Sequence, residues 1–410
     1  MRYGLIGASL PHSYSKLIHD ALGRYEYGLF PMDEDGMRRF MERADFDGIN
    51  VTIPYKEKVI PYLYSVDETA RRIGAVNTVV NRGGRLYGYN TDFYGVSDTL
   101  RRAGAELAGK KVAVLGAGGT SKTVSDVCRA SGAEVALISR TPGGGKLGYG
   151  DIPGFHPDMI MNTTPVGMYP KTGFSPVPPS YLDGVSFVFD VIYNPLRTSL
   201  LLDAKERGVK AAGGLYMLVS QAMRSAELFT GEPVGSAETE RIYAELLSRT
   251  RNVVLTGMPG CGKTTVGKLL SDKLGVPFYD TDDMIAELVG SVPDYIRAHG
   301  EESFREVESG VIARLSREAR GSVIATGGGA VLRRENVRAL SENGRICYLC
   351  RDIDKIVPDG SRPLSSDRES LLKRFAERRE IYERTADETV DCSGPAVTVA
   401  GVTVRIPCNP

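Results

Sequence analysis

The feature that most constrains this chain is a glycine-rich loop, Gly257-Met-Pro-Gly-Cys-Gly-Lys263-Thr264, which fits the pattern G-x-x-x-x-G-K-[ST]. It follows an apolar run at 252–256 and precedes an amphipathic stretch at 263–274. In such a strand–loop–helix setting, backbone amides surround phosphate groups, so the pattern predicts a nucleoside triphosphate site. A second glycine loop, 116–119, follows another apolar run at 111–115. The sequence therefore predicts two nucleotide sites in one chain.

The bulk composition limits the class of protein. A chain of 410 residues exceeds what one hydrophobic core usually organises, so two or three domains are expected. Lysine plus arginine equals aspartate plus glutamate at 51 each, which removes the basic excess expected of a nucleic-acid-binding protein. No apolar segment reaches the ~18 residues that a membrane span needs, and the start lacks a signal-peptide pattern. With its scattered cysteines, the chain is predicted to be cytoplasmic, without nucleic-acid or membrane partners, and either a monomer or a homodimer.

Alternating apolar runs and helical patterns predict an α/β fold throughout. Residues 1–105 are predicted to form an N-terminal α/β domain that includes a hairpin around Asn81-Arg-Gly-Gly84. Residues 106–248 are predicted to form a Rossmann-like domain with a parallel sheet, whose last helices belong either to it or to the first domain. Residues 249–410 are predicted to form a P-loop domain with a parallel sheet of the nucleoside-monophosphate-kinase type, and its tail, 397–406, a hairpin.

The glycine loop at 116–119 is predicted to hold a dinucleotide, because residues without Cβ let the backbone approach a pyrophosphate at the start of a helix. Ser121 replaces the third glycine of the usual fingerprint, and similar turns also occur without a ligand. The end of the next strand favours NADP over NAD. Arg140 and the hydroxyls of Ser139 and Thr141 suit a ribose 2′-phosphate, whereas NAD requires an acidic residue there.

Polar residues gather at the strand ends of the first domain, where the edges of an open α/β sheet converge on a crevice. Lys56 and Asp92 are the candidate acid–base pair, because a lysine held by a carboxylate can exchange a proton with an alcohol. From spacing alone, such a pair more often represents unrelated surface charges.

The ordered motifs of residues 1 to about 245 resemble those of shikimate dehydrogenases. These motifs are Gly7-Ala-Ser-Leu-Pro-His-Ser13-Tyr-Ser15, Asn50-Val-Thr-Ile-Pro-Tyr-Lys56, Gly74-Ala-Val-Asn77-Thr, Tyr89-Asn-Thr-Asp92, Gly116-Ala-Gly-Gly, Asn162-Thr-Thr-Pro-Val-Gly-Met168, Asp190-Val-Ile-Tyr193-Asn-Pro and Gly214-Leu-Tyr-Met-Leu-Val-Ser-Gln221. The resemblance implies that the carbonyl of 3-dehydroshikimate takes hydride from NADPH while Lys56, paired with Asp92, donates the proton.

The same resemblance implies the binding residues. Ser13 and Ser15 would hold the substrate carboxylate. The residues that would line the ring site are Asn50, Thr52, Asn77, Tyr193 and Gln221. The residues that would bind NADP are Gly116, Ala117, Gly118, Gly119, Ser139, Arg140, Thr141 and, near the nicotinamide, Met217. The segment 141–150 departs from the family, because it is too rich in glycine for the helix expected there, so the adenine side of the site is predicted to be abbreviated.

In the glycine loop at 257–264, Lys263 is predicted to reach the outer phosphate oxygens and the Thr264 hydroxyl to contact Mg²⁺. Asp280 and Asp282 lie on the same side of an extended segment, where one carboxylate could serve the metal and the other could accept a hydroxyl proton. A solvated loop end is an equal alternative for this pair. Arginines fit carboxylate and phosphate oxygens, although solvent exposure is the default for any one of them. The candidate arginines are Arg305, Arg362 and Arg378.

Together these residues resemble the P-loop shikimate kinases over about 252–393. The motifs are Tyr279-Asp-Thr-Asp282, His299-Gly-Glu-Glu-Ser-Phe-Arg305-Glu-Val-Glu308, Gly327-Gly-Gly329, Ser361-Arg-Pro-Leu364 and Glu377-Arg-Arg-Glu-Ile-Tyr382. The resemblance implies Asp280 near Mg²⁺, Asp282 activating the acceptor hydroxyl, and Arg362 closing on the phosphates. Shikimate would be bound by Arg305, Arg378, Gly327, Gly328 and Gly329, and ATP by Gly257, Gly260, Gly262, Lys263, Thr264 and Thr265. Past Cys392 the likeness lapses, because the family ends with a helix and the tail of this chain does not have a helical pattern.

The two implied reactions are consecutive, since the first makes the shikimate that the second phosphorylates. We therefore predict a bifunctional enzyme of aromatic amino-acid biosynthesis that uses NADP(H), ATP and Mg²⁺. The alternatives are a catabolic quinate or shikimate dehydrogenase, and a regulatory sensor built from the same folds. Arg140 disfavours the first alternative. The presence of the chemically active side chains disfavours the second, since a sensor has no need of them.

Overall fold

The computed structural model describes residues 2–10, 13–356 and 368–405 of the chain. These divide into two compact units, Met1–Leu246 and Leu247–Pro410, and the dividing point lies within one helix, Ser236–Thr250. No helix in the described ranges combines the length and the apolar character that crossing a bilayer requires.

The first unit begins with a mixed sheet. Its strands are β1 Tyr3–Gly7, β2 Tyr27–Pro31, β3 Gly48–Val51, β4 Ser65–Val66, β5 Thr78–Arg82 and β6 Arg85–Tyr89, and its helices are α1 Ser15–Leu22, α2 Glu34–Arg43, α3 Glu68–Ile73 and α4 Asp92–Arg102. The strand order is β2-β1-β3-β5-β6-β4. The predicted hairpin is confirmed as β5–β6. Gly83 and Gly84 have φ angles of 60° and 83°, values that a tight hairpin turn demands at both positions.

A second sheet of the same unit is parallel throughout, as predicted. Its strands are β7 Lys111–Leu115, β8 Glu134–Ile138, β9 Lys146–Leu147, β10 Met159–Asn162, β11 Phe187–Asp190 and β12 Lys210–Ala212, and its helices are α5 Gly119–Ala130, α6 Ile152–Phe155 and α7 Ser199–Glu206. The order β12-β11-β10-β7-β8-β9 reverses direction between β7 and β10. In such sheets, ligands bind outside the carboxyl ends of the strands at this reversal. After β8 the chain forms the two-residue β9, a 3-10 helix at Tyr149–Asp151 and the four-residue α6, so the long helix is missing, as the glycine-rich segment predicted.

Helices α8 Leu215–Thr230 and α9 Ser236–Thr250 complete the first unit. Helix α8 packs closely on α4, since a Cβ at Gly95 would lie 2.6 Å from the Met217 carbonyl oxygen. It also reaches the first sheet, where a Cβ at Gly48 would lie 2.3 Å from the Phe229 ring. Side chains of α8 can therefore contribute to a crevice formed by the first sheet.

The second unit is a five-stranded parallel sheet flanked by helices. Its strands are β13 Asn252–Thr256, β14 Phe278–Asp280, β15 Val323–Ala325, β16 Gly344–Cys350 and β17 Glu388–Asp391, and its helices are α10 Lys263–Leu274, α11 Thr281–Val289, α12 Val292–Glu318, α13 Arg334–Asn343, α14 Arg368–Thr385 and α15 Ala396–Arg405. The strand order is β14-β15-β13-β16-β17. The predicted strand at 252–256 and the predicted helix at 263–274 are confirmed by β13 and α10.

The prediction of a hairpin at 397–406 was wrong, and so was the inference that the kinase likeness lapses for want of a terminal helix. Residues Ala396–Arg405 form α15. Val399 and Ala400 are buried against the core of the second unit, whereas Val397 is exposed. Burial of one face of the helix outweighs the strand preference of the valines, because tertiary packing overrides local propensity.

Candidate active sites

Lys56 and Asp92 form the centre of the first site. Lys56 lies in the turn after β3, and Asp92 opens α4. Lys56 Nζ and Asp92 Oδ2 are 2.5 Å apart, and the side chains are 22% and 11% exposed. The Asn90 side chain fixes the approach to α4 by donating to the Ala75 carbonyl at 2.9 Å and accepting from the Phe93 amide at 3.3 Å. A partly exposed lysine held by a carboxylate can give a proton to a substrate oxygen.

The serine pair lies at the start of α1. The Ser15 amide donates to Ser13 Oγ at 3.3 Å, and the ring of Tyr14 between them lies 5.3 Å from the ring of Tyr193. Burial, followed by the nearby Tyr14, raises the pKa of Tyr193, so its hydroxyl remains a donor at neutral pH. Hydroxyls at a helix N-terminus suit a carboxylate. The structure thus brings both serines and Tyr193 into one neighbourhood.

Asn77 and Gln221 meet across the first sheet and α8. Gln221 Oε1 lies 3.4 Å from Asn77 Nδ2 and 3.3 Å from Thr91 Oγ1. Asn77 Oδ1 accepts from the Thr91 amide at 2.7 Å, directly before Asp92. Thr52, at the end of β3, is tied to β1 through its amide, which donates to the Ile6 carbonyl at 3.0 Å. Roles for these side chains in binding the ring stay predictions.

The role of Asn50 in lining the ring site also stays a prediction. Its side chain is 6% exposed. Its amide donates to Thr78 Oγ1 at 3.0 Å and Ser225 Oγ at 2.8 Å, and its oxygen accepts from the Tyr27 hydroxyl at 2.7 Å. These bonds hold the side chain in the protein interior and join the first sheet to α8.

Sequence reasoning missed the hydroxyl members of this network, Thr78, Thr91 and Ser225. Thr78 Oγ1 lies 2.9 Å from Ser225 Oγ, and Thr91 Oγ1 lies 3.0 Å from it. Two signals were available. Each threonine directly follows an asparagine in a quoted motif, and Ser225 lies one helical turn after Gln221.

The cofactor loop has the shape that a pyrophosphate requires. Gly116 has φ 112°, and a Cβ there would lie 2.7 Å from Thr163 Oγ1. Gly118 caps α5, and a Cβ at Gly118 or Gly119 would meet no atom within 4 Å. The Ser121 hydroxyl, in place of the third glycine, donates to the Gly118 carbonyl at 2.7 Å. An open glycine surface at the start of a twelve-residue helix fits a dinucleotide phosphate.

The predicted 2′-phosphate site follows β8. The Thr141 amide donates to Ser139 Oγ at 3.1 Å, and both Arg140 and Thr141 are exposed. An unobstructed guanidinium beside two hydroxyls fits a phosphate. Met217 is 8% exposed and belongs to the core of the second sheet, so contact with a nicotinamide ring stays a prediction, as does the role of Ala117.

The glycine loop at 257–264 surrounds the Lys263 side chain. Gly257, Gly260 and Gly262 have φ angles of 144°, 81° and 102°, conformations that favour glycine. Lys263 Nζ donates to the carbonyls of Gly257 at 2.9 Å and Met258 at 3.0 Å. The Lys263 ammonium therefore lies against the carbonyls of its own loop, beside the position at which the loop is predicted to bind phosphate.

Thr264 and Asp280 are brought together as the metal prediction requires. Thr264 Oγ1 donates to Asp280 Oδ2 at 2.7 Å, and Asp280 Oδ1 accepts from the Asp282 amide at 3.0 Å at the start of α11. A hydroxyl and a carboxylate beside a phosphate loop fit the oxygen ligands that Mg²⁺ prefers. Thr265 is exposed at the next position of α10.

A cavity of about 320 Å³ lies beside this loop. Its lining comprises Pro259, Thr264, Asp280, Asp282, Asp283, Ile285, Val292, Pro293, Ile296, Phe304, Arg305, Glu308, Gly327, Gly328, Gly329, Arg374 and Arg378. The predicted acceptor residues therefore surround one space. Sequence reasoning assigned no role to Glu308, although it stands in a quoted motif, and none to Arg374, for which no motif signal was present.

The glycines of the cavity wall allow close approach of charged groups. A Cβ at Gly327 would lie 2.7 Å from Asp282 Oδ1, and one at Gly329 would lie 2.0 Å from Arg305 Nη1. The Gly328 carbonyl accepts from Arg378 Nη1 at 3.1 Å and from the Tyr382 hydroxyl at 2.5 Å. Side chains at these positions would displace the acceptor-binding groups.

Arg305 is held between two carboxylates. Its Nη1 lies 2.8 Å from Glu308 Oε2, and its Nη2 lies 2.9 Å from Glu301 Oε1. Burial raises the pKa of Glu308, and the charge of Arg305 opposes that rise. Arg362, the predicted phosphate clamp, lies outside the described residues.

The first unit thus has the α/β architecture of an NADP-dependent dehydrogenase, with two sheets, and the second has that of a P-loop kinase. Family models match at residues 5–79 (shikimate dehydrogenase substrate binding domain) and 259–402 (shikimate kinase). The shikimate dehydrogenase (NADP(+)) of Clostridium perfringens strain SM101 is 36% identical over 267 residues, which cover 60% of this chain and 98% of that protein. That of Caldanaerobacter subterraneus is 38% identical over 256 residues, or 56% and 91%.

Two solved structures resemble the same part of the chain. One is a chorismate mutase/shikimate 5-dehydrogenase fusion protein from Clostridium acetobutylicum (TM-score 0.57, 35% identity, 60% of this chain and 96% of that one). The other is shikimate 5-dehydrogenase from Thermus thermophilus in complex with NADP(H) and shikimate (TM-score 0.55, 31% identity, 60% and 99%). The chain belongs to the shikimate dehydrogenase family and carries, after that region, a shikimate kinase domain.

Proposed function

We propose that this chain reduces 3-dehydroshikimate to shikimate with NADPH and then phosphorylates shikimate with ATP, as a bifunctional enzyme of aromatic amino-acid biosynthesis. The observation that carries the proposal is the presence of two separate candidate sites in one chain. The first has the Lys56–Asp92 contact beside a cofactor loop, and the second has the Thr264–Asp280 contact beside a phosphate loop.

In the first site, Lys56 donates its proton to the substrate oxygen while Asp92 holds the ammonium in place. NADPH, when bound, supplies the hydride to the carbonyl carbon, so the carbonyl becomes a hydroxyl and Lys56 is left neutral until it regains a proton from water. Ser13 and Ser15 bind the substrate carboxylate and orient the ring. Arg140 binds the 2′-phosphate, which supports NADP over NAD.

In the second site, Asp282 accepts the proton of the acceptor hydroxyl, and Thr264 and Asp280 would hold Mg²⁺. ATP, when bound, supplies the γ-phosphoryl group. Lys263 leaves the carbonyls of its own loop to bind phosphate oxygens, and Arg305 and Arg378 bind the acceptor. Because this step consumes shikimate, it shifts the equilibrium of the reversible reduction toward shikimate formation.

The chain's own residues support the biosynthetic enzyme over the alternatives. Arg140 is unsuited to an NAD-linked catabolic dehydrogenase, and a sensor would not need the Lys56–Asp92 and Thr264–Asp280 contacts. A cytoplasmic location is also proposed, because the five described cysteines are free. The oligomeric state, monomer or homodimer, does not enter the proposal.

Separate assays of two variants test the proposal. We expect Lys56→Met to lower NADPH-linked activity on 3-dehydroshikimate by roughly 100-fold or more while ATP-linked activity on shikimate stays at the wild-type level. Lys263→Met should have the opposite effect. Loss of both activities in either variant would contradict two independent sites.

A further inference from the structure

Some of the arginines around the kinase cavity form ion pairs with carboxylates, and others do not. Arg305, one of the candidate arginines, is already paired with Glu301 and Glu308, and its side chain is 8% exposed. An incoming carboxylate therefore meets at Arg305 a group whose charge is offset by two carboxylates. Arg305 can contact the acceptor, but because its charge is offset, the acceptor's anion also needs a cation that no carboxylate pairs with.

Arg378 is such a cation. It is 5% exposed and donates Nη1 to the neutral Gly328 carbonyl at 3.1 Å. Its Nε is buried and has no hydrogen-bond partner in the described part of the chain. A buried guanidinium nitrogen without a partner is costly, so it indicates a group that arrives with the ligand.

Arg374 lies one helical turn before Arg378 on α14 and lines the same cavity. Two arginines at this spacing share a helix face and repel each other unless an anion lies between them. Arg374 forms no hydrogen bond or ion pair with residues 2–10, 13–356 or 368–405. Burial, then the charge of Arg378, lowers the pKa of Arg374, and Glu301 opposes this only in part. Neither arginine forms an ion pair with these residues, although the charges of Glu301 and Glu377 act on Arg374 and that of Glu308 interacts with Arg378.

We propose that Arg374, together with Arg378, binds the carboxylate of the kinase acceptor, so that the acceptor's anion completes a two-arginine site in the middle of α14. The inference rests on the proposed kinase function and adds a specificity-determining residue to it. A planar carboxylate matches two guanidinium groups on one helix face. Asp282 lines the same cavity, so an acceptor held at its carboxylate can present a hydroxyl to this base.

The test is steady-state kinetics on the full-length chain with Arg374→Met, which keeps the aliphatic stem and removes the charge. We expect the shikimate KM to rise roughly 10–100-fold, while kcat and the ATP KM stay within about twofold. Arg374→Lys should recover part of the loss. The matched control is Arg379→Met on the same helix, because Arg379 is 60% exposed and paired with Glu383 outside the cavity. That variant should match the wild type.

An acceptor analogue with a carboxamide in place of the carboxylate identifies the group that Arg374 recognises. The wild type should prefer the acid strongly, and Arg374→Met should lose most of that preference. A rise in the ATP KM instead would overturn the inference by assigning Arg374 to nucleotide phosphate, and an equal fall of kcat with both substrates would overturn it by showing a structural role.

The two levels of the proposal fail in different ways. A wild-type chain without kinase activity would overturn the proposed function, and this inference with it. An active wild type whose shikimate KM is unchanged by Arg374→Met would overturn this inference alone.

Discussion

At the scale of single residues, side chains of the first unit separate into those that reach the crevice and those that hold the sheet beneath it. Lys56 and Asp92 remain partly exposed, as an acid–base pair must. Asn50 is buried and joins Tyr27, in the first sheet, to Ser225, in α8. Removal of its amide would leave the Tyr27 hydroxyl buried without an acceptor.

Asn50→Ala is therefore predicted to lower stability and not substrate binding. The expected loss in free energy of unfolding is about 2–4 kcal/mol, because buried hydrogen bonds are lost and a cavity forms. Thermal unfolding of the first unit, recognised as the transition that added NADP raises, measures this loss. The shikimate KM of the folded variant should stay within about threefold of the wild type. A large increase in the shikimate KM with unchanged stability would instead show that Asn50 binds the ring.

The sequence allowed prediction of the residues whose chemistry is tied to a motif, such as Thr264 and Asp280, which meet as expected. It did not allow prediction of the role proposed for Arg374 or of the hydrogen-bond partners of Asn50. Their positions depend on contacts between segments far apart in the chain, and a single arginine or asparagine gives no local sign of them. Residues 50 and 225, for example, are separated by 175 positions.

At the scale of elements, the loop between β7 and α5 combines two different demands on glycine. Gly116 is needed by the fold, since its φ of 112° favours glycine and a Cβ would contact Thr163. Gly119 opens α5, and a Cβ there would project into open space where phosphate is proposed to bind. Substitution should separate stability from cofactor affinity.

Gly116→Ala is predicted to destabilise the first unit by roughly 1–3 kcal/mol through backbone strain. Gly119→Ala should leave stability equal or higher by up to about 1 kcal/mol, since alanine favours a helix, yet should raise the NADPH KM. Thermal unfolding without cofactor and NADPH titration of activity measure the two effects. Unchanged NADPH affinity in Gly119→Ala would argue against a phosphate at the start of α5.

The end of β11 contains a buried titratable group. Asp190 accepts from Thr198 Oγ1 at 2.7 Å, from the Ile192 amide at 3.0 Å and from Asn162 Nδ2 at 3.1 Å. Burial nevertheless raises its pKa from 3.8 to about 6. Because the folded pKa exceeds the unfolded one, the stabilising contribution of the protonated form is present below about pH 4 and is lost as the pH rises through 6.

Asp190→Asn should therefore gain stability relative to the wild type as the pH rises from about 4 to 7, by roughly 2 kcal/mol across that range. The asparagine oxygen can accept from Ile192 and Asn162, and its nitrogen can donate to the Thr198 hydroxyl. Thermal unfolding of wild type and variant at matched pH values gives the difference. A difference that does not change with pH would show that Asp190 titrates alike in the folded and unfolded chain.

Local pattern allowed prediction of the elements that have strong boundaries. The hairpin β5–β6 has two glycines at its turn, and β13 and α10 enclose a glycine loop. The tail at 397–406 has no such boundary, and its valines suit either a strand or a helix. The burial of Val399 against the second unit decided the outcome, and that contact has no signature in the local sequence.

At the scale of the whole molecule, the chain consists of two units, each with its own hydrophobic core and its own candidate site. The family resemblance of each site was readable from its motifs, because both chemistries depend on short segments between strands and helices. The proposed product of the first site is the proposed acceptor of the second. The central claim is that one chain performs both steps in sequence.

One coupled reaction tests that claim most directly. Purified full-length chain is supplied with 3-dehydroshikimate, NADPH, ATP and Mg²⁺, and the products are identified by mass while NADPH oxidation and ADP release are followed. The account predicts shikimate 3-phosphate, with one NADPH oxidised and one ADP released for each molecule formed. Accumulation of unphosphorylated shikimate, or ADP release without NADPH oxidation, would contradict it.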